Sequence, residues 1–178
     1  MKRERDPLQL GRLCQVGLVV RDVHATIDYL RRNFGVREWV VFEGETAWCW
    51  DRGREITMGG WMAMGWMGRV QLELIQVRGS GSIHADFLEE GREGLHHLGF
   101  FVKDLEERLA ACRDRGIGVL QRGTLKRMGL TIDYAYLDTV KIGGAIIEFI
   151  QTRFLGFNVP QSRLLMKPFS RLQRVFGR

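Results

Sequence analysis

The chain contains two copies of one short pattern. QVGLVVRDV begins at Gln15 and HLGFFVKDL begins at His97, and both copies share Gly, Val, a basic residue and Asp at matching positions. Each copy is typical of an apolar strand that ends at an Asp able to cap a following helix. Apolar residues at helical spacing then predict helices over about 23–34 and 105–115, and a glycine stops each one.

A second pattern is shared at the end of each copy. LELIQ (72–76) matches IEFIQ (147–151), and each places a Glu inside an apolar strand. Two further strands fit between the helix and this last strand, over about 36–43 and 56–66 in the first copy and 119–122 and 131–138 in the second. Matches at both ends, in the same order, indicate a gene duplication. We therefore predict an α+β fold made of two tandem βαβββ modules.

These patterns divide the chain into five parts. We expect an N-terminal extension (1–12), a first module (13–78), a linker (79–93), a second module (94–151) and a basic amphipathic tail (152–178). A helix that begins at Pro168 would place Phe169, Leu172 and Phe176 of this tail on one face. Packing on a partner subunit, or disorder, is favoured over membrane contact for this segment.

The charge of the chain argues against nucleic acid as a partner. The tail contains six basic residues and no acidic ones, so its formal charge is +6. This equals the formal net charge of the whole chain, and residues 1–151 are therefore formally neutral. A neutral body offers no excess of cations for phosphate contacts. No stretch is long and apolar enough to span a bilayer and no signal peptide is evident, so we expect a cytoplasmic protein. The cysteines (Cys14, Cys49 and Cys112) are widely spaced and predict no disulfide framework.

Four polar side chains lie at matching positions of the two copies, namely Gln15 and His97 on the first strands and Glu73 and Glu148 on the last. A carboxylate among apolar neighbours is costly to bury unless a cation pairs with it. Two such carboxylates at equivalent positions therefore indicate one shared counter-ion. An amide oxygen, an imidazole and two carboxylates suit Zn, Ni, Co, Mn or Fe(II), and leave coordination positions open for water or substrate.

Each of these residues also has an ordinary interpretation when taken alone. A Glu in a strand usually faces solvent, and His97 could be a core histidine with one satisfied nitrogen. His96 is expected to point to the opposite face, in the core. His24 and His84, expected on a helix and a loop, are assigned no ligand role. Only the repeat, which places four polar groups at equivalent positions, favours the metal.

The chain resembles the vicinal oxygen chelate superfamily, which includes glyoxalase I, methylmalonyl-CoA epimerase, extradiol dioxygenases and bleomycin-resistance proteins. The resemblance covers roughly residues 13–151 and is most specific over SIHADFLEEGREGLHHLGFFVKDLEERL (82–109). This stretch is similar to the FLE…GxHHI…V-D passage of the epimerases. The strands VQLELIQ and GGAIIEFIQ resemble those that carry the second and fourth ligands. When the four ligand positions of the family are transferred to this sequence residue by residue, they fall on Gln15, Glu73, His97 and Glu148.

The resemblance implies a cup-shaped, partly open barrel around the metal. It also implies an enzyme that removes a proton next to a carbonyl or thioester and stabilises the enolate, as an epimerase, an isomerase or a glyoxalase-like lyase. Glu148 is the first candidate for the base, and Glu43 and Glu45 are positional candidates for a separate base. The expected partners are a small-molecule substrate, such as an acyl-CoA or another thioester, and a second copy of the chain in a homodimer. A binding or resistance protein without catalysis is the alternative.

The chain also departs from these relatives. Epimerases typically carry His where Gln15 stands, whereas the order Gln, Glu, His, Glu is similar to some glyoxalase I enzymes. Ring-cleaving dioxygenases are disfavoured because Gln15 replaces the second histidine that their ligand set requires. The segment 45–68 matches neither subfamily well. We interpret its tryptophans and methionines as core or dimer contact, or else as an apolar wall of a substrate pocket. These residues are Trp48, Trp50, Trp61, Trp66, Met58, Met62, Met64 and Met67.

Overall fold

A computed structural model describes residues 8–159, except 128 and 142. The helices are α1 (Val23–Phe34), α2 (Ile83–Glu89) and α3 (Leu105–Asp114). The strands are β1 (Gln15–Val19), β2 (Trp39–Glu45), β3 (Trp48–Asp51), β4 (Arg54–Glu55), β5 (Gly59–Met67), β6 (Val70–Arg78), β7 (Gly94–Phe101), β8 (Val119–Arg127), β9 (Leu130–Leu137), β10 (Ile146–Phe154) and β11 (Phe157–Asn158).

The two predicted helices form because an Asp caps each of them. Asp22 Oδ1 accepts a hydrogen bond from the Ala25 amide at 2.9 Å, and Asp104 Oδ1 accepts one from the Glu107 amide at 3.0 Å. Helix α1 ends at Gly35 in the left-handed conformation (φ 68°), which glycine adopts without steric cost. Both caps and both helix positions confirm the prediction from sequence.

The strands form one curled mixed sheet in the order β2-β5-β6-β1-β7-β10-β9-β8-β3-β4, with β11 paired to β10. Strand β1 runs parallel to β6, and β7 runs parallel to β10, while β1 and β7 pair antiparallel in the centre. Each module thus has the same internal order around the centre of the sheet. The sheet curls with the helices on its outside, so the α+β cup expected from sequence is confirmed.

The repeated glutamines explain why each helix returns to the last strand of its own module. Gln76 Oε1 accepts from the first amide of α1, that of Val23, at 2.9 Å. In the second module, Gln151 Oε1 accepts from the Leu105 amide of α3 at 3.2 Å. The first amides of a helix have no partner within the helix, so each glutamine satisfies one of them and fixes the helix on the sheet.

Two apolar cores lie between the sheet and the helices, one in each module. Helix α1 packs Val23 and Ile27 on Leu72 and Leu74 of β6. Helix α3 uses Leu105, Leu109 and Cys112 against Ala135 and Phe149 in the same way. On these strands the alternate residues face the inside of the cup, by the two-residue period of a strand. The duplicated cores therefore hold the two Glu-bearing strands with Glu73 and Glu148 directed inward.

The segment between β2 and β5 contains structure that the sequence did not predict. Strand β3 leaves the first module and pairs with β8 at the far edge of the second. Asp51 at its end is fully buried, and accepts from the Ile83 amide at 3.0 Å and from Gln121 Nε2 at 2.8 Å. Arg52 Nε donates to the same carboxylate at 2.6 Å. Strand β3 therefore connects the second module to the start of α2.

Two expected boundaries also differ. The segment 79–93, expected as a linker, contains α2, whose N-cap Ser82 accepts from the Ala85 amide at 3.1 Å. The sheet continues beyond residue 151 into β10 and β11, so the tail begins later than expected. The remainder of the basic tail, including the helix expected from Pro168, lies outside the described residues. Within the described part of the chain, no helix has the length and apolarity that a membrane span requires.

Candidate metal centre

The four predicted ligand residues lie on the four adjacent central strands of the sheet. Gly17 on β1 pairs with Glu73 on one side and with His97 on the other. Gly99 on β7 pairs with Gln15 and with Glu148 in the same arrangement. A Cβ atom on Gly17 would overlap the His97 ring, and one on Gly99 would lie 2.7 Å from Gln15 Oε1. The repeated glycines therefore leave room for the side chains of the neighbouring strand.

His97 stands between the two carboxylates. Its Nε2 atom lies 3.2 Å from Glu73 Oε2 and 3.3 Å from Glu148 Oε2. Each of the three residues has one possible ligand atom that lies within 4.8 Å of the corresponding atoms of the other two. All three residues are buried, at 0–5% exposure. Two carboxylates held this close together in the interior require a positive partner.

Gln15 lines the same small cavity as Glu73 and Glu148. Its Nε2 donates to Gln71 Oε1 at 2.9 Å, which leaves Oε1 as the free end of the amide. Gln15 Oε1, Glu148 Oε2 and His97 Nε2 are all buried and, apart from the close approach of His97 Nε2 to the two carboxylates, have no hydrogen-bond partner among the described residues. Buried polar atoms are rarely left unpaired, and three of them on the predicted ligands fit the donor set of a divalent ion. This donor chemistry does not select one metal.

The charges in this cluster shift the pKa values of its members. Burial, with the nearby charge of Glu73, raises the pKa of Glu148 to about 8, although His97 and a hydrogen bond from the Tyr136 hydroxyl oppose the shift. Burial would lower the pKa of His97, but the charges of Glu148 and Glu73 outweigh it and raise that pKa above its usual value. The metal-free site therefore retains protons near neutral pH.

This retention of protons predicts that metal binding depends on pH. An incoming divalent cation must displace the protons held by His97 and Glu148, whose pKa values are both raised. We expect Zn²⁺ affinity to rise with pH up to about pH 8, by up to about 100-fold per pH unit where both groups hold their protons, because up to two protons leave for each ion bound. Calorimetry in two buffers of different ionisation enthalpy measures that number directly.

The raised pKa values of His97 and Glu148 also determine how the stability of the metal-free protein changes with pH. Because the folded state binds protons more tightly than the unfolded state, the metal-free protein should lose stability as the pH rises towards 8. Saturating Zn²⁺ should remove this dependence. Metal binding without proton release at pH 7 would contradict the assignment of these two ligands. A His24→Leu variant is the control, since His24 lies on α1, where it contacts Trp61.

A small cavity adjoins three of the four residues, Gln15, Glu73 and Glu148. It has a volume of about 20 Å³ and is lined by Gln15, Glu73, Glu148, Tyr134, Tyr136, Ile150, Met58, Met62, Met64, Leu125 and Ile132. This volume holds roughly one water-sized guest. The methionines of segment 45–68 thus divide: Met58, Met62 and Met64 form an apolar wall beside the carboxylates, whereas Met67 is exposed at 48%. The interpretation as an apolar wall of a substrate pocket therefore applies to three of the four methionines.

A second cavity of about 70 Å³ shares Met58, Met62 and Leu125 with the first. It is lined further out by the exposed residues Lys126 and Arg127 of β8. The two cavities therefore adjoin across the side chains of Met58, Met62 and Leu125, and the outer cavity carries both basic residues.

The structure does not bring Glu43 or Glu45 to the carboxylates. Glu43 pairs across the sheet with Trp61, on the face where α1 packs, and forms an ion pair with Arg78. Glu45 lines the outer cavity beside Gly59. Of the three residues expected to act as a base, Glu148 alone belongs to the buried cluster, and its role as the base stays a prediction.

Two histidines occupy places that the sequence did not indicate. His84 lies in helix α2, not in a loop, and is fully buried. His96 does not point away from His97: the Nδ1 atoms of the two rings are 3.2 Å apart. Pairing between β1 and β7 shifts by one residue here, from Gly17 opposite His97 to Leu18 opposite Leu95. A β-bulge of this kind redirects side chains, and a regular strand pattern cannot reveal it.

Comparison with known proteins places these features in context. The family model described as "Glyoxalase/Bleomycin resistance protein/Dioxygenase superfamily" matches residues 14–136. Compared by sequence with curated proteins, the chain matches none of them.

Solved structures share the fold at low sequence identity. A Streptomyces coelicolor methylmalonyl-CoA epimerase variant in complex with 2-nitronate-propionyl-CoA has a TM-score of 0.57 and 21% identity, over 79% of this chain and 96% of that one. The Mycobacterium tuberculosis methylmalonyl-CoA epimerase has a TM-score of 0.58 and 19% identity, over 79% and 87%. The hypothetical protein BH1468 from Bacillus halodurans has a TM-score of 0.54 and 18% identity, over 78% and 92%.

Proposed function

Because the chain belongs to the glyoxalase/bleomycin resistance protein/dioxygenase superfamily, we propose that it is a metal-dependent enzyme that removes a proton next to a carbonyl or thioester group. The observation that carries this proposal is the buried cluster of Glu73, His97 and Glu148 with unpaired ligand atoms. When bound there, a divalent ion would polarise a substrate carbonyl and so acidify the adjacent C–H bond.

Glu148 is the residue that we propose takes the proton. A general base must be ionised and must lie beside the proton that it takes; a bound cation would keep this carboxyl ionised, and it could accept the proton as it loosens from the ion. The Tyr136 hydroxyl, itself buried, hydrogen-bonds the carboxylate and limits its rotation. Glu148 also borders the small cavity beside the proposed metal ligands. Glu73 would remain as the permanent counter-charge on the other side of His97.

The lining of the two cavities suggests how a substrate is held. The inner cavity carries no Lys or Arg among its described lining residues, so the reacting end of the substrate meets Met and Ile side chains and the ligand groups. Lys126 and Arg127 at the outer cavity suit an anionic handle, such as the phosphates of an acyl-CoA. The guanidinium of Arg127 lies 5.3 Å from the centre of the Phe42 ring, which holds it beside the outer cavity.

We expect the double substitution of Lys126 and Arg127 by Ala to weaken binding of a CoA thioester about tenfold, because two exposed cation–phosphate contacts contribute about 1 kcal/mol together or slightly more. The matching N-acetylcysteamine thioester, which lacks the phosphates, should bind equally well to both proteins. Titration calorimetry at two salt concentrations measures the difference. The control is Arg31→Ala with Arg32→Ala on α1, which removes the same charge elsewhere.

The activity is tested by solvent-deuterium exchange. Zn²⁺-, Co²⁺- and Ni²⁺-loaded protein is incubated in D₂O with 2-substituted acyl-CoAs, including methylmalonyl-CoA, and with the hemithioacetal of methylglyoxal and glutathione. Exchange at the carbon next to the carbonyl, lost after chelation and restored by metal, is the expected result. Metal binding without exchange on any of these compounds would favour the non-catalytic binding protein.

The four proposed ligands come from one chain, so the site needs no second subunit to be complete. The homodimer expected from the family resemblance stays a prediction, which sedimentation of the metal-loaded protein checks.

A further inference from the structure

The neighbouring histidines His96 and His97 make a contact that a regular strand would not allow. Successive side chains of a strand point to opposite faces of the sheet. Here the β-bulge leaves His96 without a pairing partner on β1, and its Nδ1 lies 3.2 Å from His97 Nδ1. Both rings are buried. One of the two facing nitrogens must therefore donate a proton and the other must accept it.

The other side of the His96 ring decides which nitrogen donates. This ring also hydrogen-bonds the backbone of Ile83, at the start of α2. The Ile83 amide already donates to Asp51 Oδ2 at 3.0 Å, so the group that meets His96 is the Ile83 carbonyl. A carbonyl can only accept, which places the ring proton of His96 on Nε2.

His96 has no second proton to give to His97. Its ring is buried against the rings of His84 and Phe87, and no carboxylate among the described residues pairs with it, so a positive charge there would be costly and the ring is neutral. A neutral ring protonated at Nε2 has a lone pair at Nδ1. His97 must then carry the shared proton on its own Nδ1, and its Nε2 is the nitrogen that faces Glu73 and Glu148.

The packing of α2 holds His96 in this orientation. His84 stacks on the His96 ring with centroids 4.7 Å apart, and Phe87 meets it edge-on at 5.2 Å. Neither ring nitrogen of His84 has a hydrogen-bond partner within the described chain, so His84 does not compete for the nitrogens of His96. The ring of His96 is thus enclosed by apolar and aromatic surfaces, with hydrogen bonds at its two nitrogens only.

From this geometry we propose that His96 is a positioning residue, which fixes the tautomer and ring direction of His97 so that Nε2 is presented to the metal. Helix α2 is then part of the metal centre, through Ile83, His84 and Phe87, although it supplies no ligand. The proposal rests on the metal site of the proposed function. Outer hydrogen-bond partners of this kind usually change metal affinity by about 10- to 100-fold when they are removed.

Nitrogen-15 NMR of the unmutated, Zn²⁺-loaded protein gives the direct test. We expect a proton on His97 Nδ1, a proton on His96 Nε2, and a scalar coupling between the two facing Nδ1 atoms through their hydrogen bond. Zn²⁺ should shift Nε2 of His97 most strongly among the histidine nitrogens. Zinc bound to Nδ1 of His97, or a proton on Nδ1 of His96, would overturn the proposal without any mutation.

A pair of variants separates positioning from packing. His96→Leu removes the acceptor, whereas His96→Asn keeps an acceptor oxygen near the place of Nδ1. We expect Zn²⁺ affinity to fall about 10- to 100-fold in the Leu variant and to be mostly retained in the Asn variant. His24→Leu, on α1, controls for the loss of a histidine. Thermal unfolding of each metal-free variant shows whether it is folded.

The outcomes distinguish the two proposals. If the Leu variant binds Zn²⁺ as tightly as the unmutated protein, the positioning role is wrong and the proposed function stands. If the unmutated protein binds no Zn²⁺, Co²⁺ or Ni²⁺, the metal site and the positioning role are both wrong. If the Leu variant is unfolded, the Asn variant and the NMR assignment of the tautomers still decide the question.

Discussion

Replacing Glu148 with Gln is expected to slow proton exchange on an accepted substrate by about 10³-fold, the usual order of magnitude for a lost general base. Gln has nearly the same shape and keeps an oxygen that can contact a metal, but it cannot accept a proton at neutral pH. Metal should therefore still bind, though more weakly, because one of the two buried charges is removed. Metal content and exchange rate are measured on the same preparation to separate these effects.

Glu43→Gln is the matched control for this prediction. Glu43 belongs to the same class of side chain, but it pairs with Arg78 on the other face of the sheet. We expect its exchange rate to stay within about twofold of the unmutated protein, as is usual for surface substitutions with small energetic effects. Fast exchange by Glu148→Gln together with slow exchange by Glu43→Gln would transfer the role of the base to Glu43.

Gly17→Ala is expected to weaken metal binding strongly. A Cβ atom at this position would overlap the ring of His97, which is fully buried and cannot move into free space. We expect Zn²⁺ affinity to fall at least about 100-fold, since the ligand itself is displaced. Overpacking should also lower the free energy of unfolding by about 1–3 kcal/mol.

Gly44→Ala provides the comparison. Gly44 also lies in a strand, but a Cβ atom there would meet nothing within 4 Å. Its metal affinity should be unchanged and its stability equal or slightly higher, because alanine loses less backbone entropy than glycine on folding. Calorimetric Zn²⁺ titration and urea unfolding of both variants check this pair. Equal metal affinity in the two would show that His97 does not bind the ion in the observed ring position.

Much of the centre of the molecule could be predicted from the repeat. The two modules, both helix caps and the four inward side chains follow from periodicity and from matching positions. Gln15 and Glu73 are uninformative alone, and they gained meaning only because His97 and Glu148 stand at the equivalent places. Duplicated chemistry is visible in sequence because each copy supplies a reference for the other.

The parts that the sequence could not predict depend on long-range pairing. Strand β3 has few residues, and its partner β8 lies far along the chain, so its local pattern carries no information on where it pairs. Helix α2 has only seven residues, and it is stabilised through its N-cap and through Asp51 more than by an apolar face. The β-bulge at His96 arises from the register of β1 on β7, which no local pattern encodes. The contact between the two histidines was missed for this reason.

Strand β3 also has a consequence for how the two halves of the molecule depend on each other. The buried Asp51 of the first copy meets Gln121 of the second and the Ile83 amide between them, so residues from three parts of the chain complete one hydrogen-bonded group. A gene encoding only the first copy would keep Arg52 as a partner of that carboxylate but would lose the hydrogen bond from Gln121. The two similar halves are thereby joined by one buried hydrogen-bonded group, which neither half contains completely on its own.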